Sequence, residues 1–111
     1  MTQSHKGGFL AVCVYRSYNK TMKIEYDPAK RAKTLRERGL DFEDAREVFA
    51  GEHITKEDTR KDYGEPRFAT AGLLRGNAVT VVWTPREDAL RIISMRRMHD
   101  EEFRRVSAHA V

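Results

Sequence analysis

One cysteine, Cys13, among 111 residues leaves no partner for an internal disulfide and no set of thiolates for a cysteine-based zinc cluster. A lone thiol fits a reducing compartment. No apolar run approaches the roughly 20 residues that a membrane-spanning helix needs. HExxH, GxGxxG, P-loop and nucleophile-elbow patterns are all missing, and His5, His53, His99 and His109 are scattered without metal-ligand spacing. No metal or cofactor is therefore expected. Of the histidines, only His99, close to Arg96 and Arg97, is kept as a proton-transfer candidate.

Acid is missing from residues 1–21, where Lys6, Arg16 and Lys20 supply +3 of the formal net charge of +4. The remaining chain carries 18 basic and 17 acidic residues, so no global basic field marks a polyanion-binding protein. Charge is instead polarised along the chain. From Glu37 to Glu65 ten acids face five bases, and from Pro66 onward eight arginines face five acids, with no lysine. Arginine forks suit phosphate oxygens better than lysine does. On charge alone a solvated, salt-bridged surface is the favoured explanation of the pattern.

Phe9–Tyr15, "FLAVCVY", is marginal for a signal-peptide core, and no small-residue cleavage site follows it. It equally suits an extra strand. A start at Met22, with 1–21 as an upstream extension, fits best, because organised patterning begins at Lys23 and one domain is expected over 22–111.

"KIEYD" alternates and predicts a short strand. "DPAKRAKTLRERG" predicts a helix, with Asp27 as N-cap, Pro28 at the first helical position and Gly39 at the left-handed C-terminal position. A second helix is expected from Asp41, with Phe42, Ala45, Val48 and Phe49 on one face and Gly51 at its end. The polar stretch from Glu52 to Glu65 has no fixed assignment beyond a possible strand at His53–Thr55. Three strands follow, turning at Gly76-Asn77 and over Pro85–Asp88. A short polar helix near Asp100 closes the chain. The expected fold is α+β: an antiparallel meander of three to four main strands, a two-helix hairpin on one face, and a short C-terminal helix.

In the last strand, "RIISMRR", alternation puts Arg91, Ile93, Met95 and Arg97 on one face and Leu90, Ile92, Ser94 and Arg96 on the other. Apolar residues on both faces predict a central strand with its cations at the rim. With Arg67, Arg75 and Arg86 these form a set suited to phosphate recognition and to the charge of a phosphorane. RNA carries its own nucleophile, the 2′-hydroxyl, so cleavage needs positioning, charge stabilisation and one base. Glu65 fits the base. By spacing it equally fits a structural ion-pair partner of Arg67.

"YDPAKRAKTLRERGLDFEDAREVF", "YGEPRFATAGLLRGN", "VVWTPRED" and "RIISMRR" follow in order the pattern of the BrnT family of type II toxins, which this chain resembles over about 23–106. The resemblance implies a small, cytoplasmic, RelE-like, metal-independent endoribonuclease that arrests growth as part of a stress response. It also implies a BrnA-like ribbon-helix-helix antitoxin that binds operator DNA. By matched position it implies Glu65, Arg67, Arg86, Arg91 and Arg96 as catalytic and Thr84 and Ser94 as RNA-binding; Lys30 and Arg97 are expected as further RNA-binding residues. The sequence departs from the pattern at Thr34, Arg38, Met95 and Val106, where asparagine, histidine, alanine and tyrosine are usual.

Overall fold

A computed structural model of the chain describes residues 23–60, 62–99, 101, 102, 104 and 105. The expected extension over 1–21 lies outside these. The elements run β1 (Lys23–Glu25), α1 (Pro28–Arg38), a 3-10 turn (Phe42–Asp44), α2 (Ala45–Ala50), β2 (His53–Glu57), β3 (Phe68–Leu74), β4 (Asn77–Pro85) and β5 (Ala89–Arg97). Glu101, Glu102, Arg104 and Arg105 are helical, as expected of the C-terminal segment.

The two helices start and stop where local chemistry dictates. The Asp27 carboxylate accepts from Ala29 N at 2.9 Å, and Gly39 closes α1 at φ 70°. Asp41 caps the 3-10 turn through Glu43 N at 3.0 Å. The hairpin between β3 and β4 turns one residue earlier than the Gly-Asn pair suggested. Leu74 pairs with Asn77, so Arg75 (φ 50°) and Gly76 (φ 84°) are the central residues. The Arg75 guanidinium reaches across to Asp44 at 3.2 Å and Glu47 at 3.3 Å.

The expectation of a three- to four-stranded antiparallel meander requires correction. The sheet has five strands in the order β1-β5-β4-β3-β2, and it is mixed, because β1 runs parallel to β5. β5 takes an inner place, paired with β4 on one side and β1 on the other. The three residues of β1 supply the second neighbour from the far end of the sequence.

Phe42, Ala45, Val48 and Phe49 are buried against Val79, Val81, Trp83, Leu90, Ile92 and Met95. Gly72 lets α2 approach β3, since a Cβ there would lie 2.9 Å from Val48. α1 buries no residue fully. Polar ties hold it instead: Arg31 to Asp41 at 2.8 and 2.9 Å, Arg38 Nη1 to the Met95 carbonyl at 2.7 Å, and Arg97 Nη1 to the Arg38 carbonyl at 2.7 Å. Both helices thus cover one face of the sheet.

Candidate functional site

The opposite face carries the arginines, and a β-bulge decides which ones. Val82 pairs with Ser94 but Trp83 pairs with Ile92, leaving Ile93 as an extra residue in β5. Strict alternation therefore fails halfway along the strand. Leu90, Ile92 and Met95 all reach the helix-covered core, where Met95 is fully buried. Arg91, Ser94 and Arg96 pair with Thr84, Val82 and Thr80, and so share the other face. Arg97 pairs with Val79 and falls on the helix side, where it caps α1. The expected grouping of Arg91 with Met95 and Arg97 is overturned by one residue.

At one end of this face five side chains form an alternating chain of charge. Arg91 Nη1 donates to Glu25 Oε1 at 3.2 Å, and Arg86 Nε lies 3.9 Å from the same oxygen. Arg86 Nη1 donates to Glu65 Oε1 at 3.0 Å. Arg67 Nε lies 3.9 Å from Glu65 Oε2, within Coulombic reach but beyond a hydrogen bond, and it is buried without a hydrogen-bond partner among the described residues. Three guanidiniums share two carboxylates, so the chain retains one positive charge. Its members are about one-quarter to one-half exposed, so the pairs add little stability.

Edge and loop set these positions. Glu25 pairs with Arg91 across the parallel β1–β5 ladder. Glu65 and Arg67 come from the segment linking β2 to β3. Thr84 is buried under that segment and donates from Oγ1 to the Pro66 carbonyl at 2.6 Å. A shallow depression of about 590 Å³ opens beside Glu65 and Arg67, walled in part by Glu57, Asp58, Asp62 and Tyr63.

Of the residues singled out in the sequence, Glu65, Arg67, Arg86 and Arg91 are brought together, with Thr84 beneath them as an anchor. Ser94 and Arg96 lie on the same face further along β5. Four ladder steps separate Arg96 from Arg91, about 14 Å, and Arg96 meets Glu102 at 3.4 Å. Arg97 and Lys30 lie on the helix-covered side; Lys30 is exposed on α1. His99 donates its backbone N–H to Glu102 at 3.1 Å and is remote from Glu65. Glu25 and Glu102 escaped the sequence reading. The alternation of "KIEYD" marked Glu25 as facing away from Ile24, but nothing in it named β5 as the neighbour.

Glu65 can act as a base, and the forks of Arg86 and Arg91 can bind a phosphate in place of Glu25. The buried Arg67 Nε lacks an acceptor that an anionic oxygen would supply. No curated protein sequence matches the chain significantly. A family model described as ribonuclease toxin, BrnT, of type II toxin-antitoxin system matches residues 26–102, which include every member of the charged chain except Glu25. The chain belongs to the BrnT family of type II toxin-antitoxin ribonuclease toxins.

Proposed function

We propose that this chain is a metal-independent endoribonuclease toxin that cuts RNA through attack of the ribose 2′-hydroxyl on the adjacent phosphate. Glu65 takes the hydroxyl proton, the P–O5′ bond breaks as the P–O2′ bond forms, and the departing 5′-oxygen takes a proton from solvent. Arg67, Arg86 and Arg91 hold the non-bridging oxygens as charge builds on the phosphorane, which is where preorganised donors matter most. Ser94 and Arg96 continue the same face and receive the neighbouring backbone; in this reading Thr84 is a buried anchor for the loop, and Lys30 and Arg97, on the helix side, take no part in RNA binding. The observation that carries this reading is the alternating chain: three forks share two carboxylates and retain a positive charge for an anion.

In the same reading the chain acts in the cytoplasm, is neutralised by a BrnA-like ribbon-helix-helix antitoxin, and has a RelE-like fold. A sheet with both helices on one face and arginines on the other supports that fold assignment. The test is cleavage of a defined RNA by purified toxin in excess chelator, with the ends identified. A 2′,3′-cyclic phosphate and a 5′-hydroxyl are expected, together with loss of cleavage in Arg91→Ala. RNA bound but left whole by the wild-type chain points instead to a degenerate toxin acting only as an RNA- or antitoxin-binding module.

A further inference from the structure

The segment from Asp58 to Arg67 is built around one carboxylate that touches none of the charged chain. Asp58 has a side chain only 6% exposed. Its Oδ1 accepts from Arg60 N at 3.2 Å and Arg60 Nε at 2.8 Å, and its Oδ2 accepts from Arg60 Nη2 at 2.9 Å and the Tyr63 hydroxyl at 3.2 Å. Its backbone N–H closes the base of the segment on the Arg67 carbonyl at 2.7 Å. The Tyr63 ring, held by its hydroxyl, lies under the Arg67 guanidinium at 4.1 Å.

Arg67 depends on that ring more than its neighbours depend on anything similar. Arg86 and Arg91 are each fixed by a direct hydrogen bond to a glutamate. Among the described residues Arg67 has only a 3.9 Å approach to Glu65, and its Nε has no hydrogen-bond partner there. A long side chain without a directional bond keeps its rotamer freedom unless packing removes it. The face-on contact with Tyr63 supplies that packing.

We propose that Asp58 is the positioning residue of this site: through Arg60 and Tyr63 it sets the aromatic ring that fixes the Arg67 guanidinium toward the reacting phosphate. The inference rests on the proposed cleavage reaction for its functional part, and on geometry alone for its structural part. Asp58 is nearly enclosed by its own loop, so it acts through Arg67 and not on the substrate.

Two readouts separate these parts. In wild-type protein the ring current of Tyr63 shifts the Arg67 Hε resonance away from the ordinary arginine position. Asp58→Ala and Tyr63→Leu are expected to return it there, and Tyr63→Phe, which keeps the ring but loses the hydroxyl that Asp58 holds, should return it part of the way. In cleavage assays the same two variants should lower kcat about 10- to 100-fold, the scale of a misplaced catalytic group, with a smaller change in KM. Tyr63→Leu should cost nothing further in an Arg67→Ala background, whereas a merely structural role would give additive losses. A resonance unmoved in folded Asp58→Ala overturns the proposal, as does one unmoved in Tyr63→Leu, and so does additive loss or wild-type kcat in those variants. Thermal melts identify a variant that fails to fold, and the remaining one then decides. If wild-type protein cuts no RNA, the proposed function falls, and the resonance alone decides whether Asp58 holds Arg67.

Discussion

Arg91 and Arg97 sit in one strand and carry the same charge, yet the structure gives them opposite work. Arg91 faces the open side and meets only a half-exposed glutamate, with side-chain exposures of 35% and 45%. Replacing it by alanine is expected to reduce cleavage about 100- to 1,000-fold, as removal of one transition-state donor does. Because such exposed pairs contribute little to folding, its melting temperature should stay near wild type. Arg97 donates to the last carbonyl of α1. Arg97→Ala should keep near wild-type cleavage and lose about 1 kcal/mol of stability in a denaturant titration. Reversed outcomes would show that the bulge does not separate the two. Residue types were legible in the sequence, since arginines flanking an apolar run announce a rim. Their faces were not, because alternation assumes an unbroken ladder and Ile93 breaks it. Met95 illustrates the same point: the residue that departs from the family pattern lies wholly within the core, and the Arg38 departure donates to its carbonyl.

At the scale of elements, legibility followed the range of the interactions. Helix caps act over two or three residues, so α1 could be bounded from Asp27, Pro28 and Gly39 alone. Which strand neighbours β1 depends on a pairing across 66 residues, Glu25 to Arg91, and no local signal encodes it. Deleting Ile93 would remove the bulge and leave Leu90, Ile92 and Met95 on the core face by simple alternation, because every other pairing with β4 is kept. Cooperative thermal unfolding is therefore expected to survive the deletion, and Ile93→Ala, which keeps the extra residue, should also fold and cleave. The loop carrying Glu65 and Arg67 makes a separate prediction about acid. Arg60 holds the Asp58 carboxyl down at about 2, with burial opposing and the Arg60 and Tyr63 hydrogen bonds assisting. A depressed native value means that the unfolded chain binds the proton more readily. The contribution of Asp58 is therefore complete above about pH 4 and fades as pH falls toward 2. Proteolysis within 58–67 should rise over that window in wild-type protein, and Asp58→Asn should be equally susceptible at both ends of it.

Taken whole, the molecule presents two cationic surfaces on opposite sides of one sheet. The open face carries Arg67, Arg86, Arg91 and Arg96; the outer surface of α1 carries exposed Lys30, Lys33 and Arg36. A net charge of only +4 cannot decide between them, but counterion release can. Each phosphate of a single strand that is neutralised contributes about −0.7 to the slope of log K against log salt. A strand crossing the open face and meeting three or four of its arginines should thus give a slope of about −2 to −3. Replacing Arg91 and Arg96 together by alanine should reduce its magnitude by about 1.4, while replacing Lys30, Lys33 and Arg36 should leave it unchanged. The converse pattern would put the RNA path on the helices and remove the arginine chain from substrate binding. Antitoxin offers a second probe of the same face. If it neutralises by covering the charged chain, adding it should abolish RNA binding at low salt, where electrostatic attraction is strongest. It should also protect Arg86 and Arg91 from arginine-directed modification, while Arg36 on α1 stays reactive.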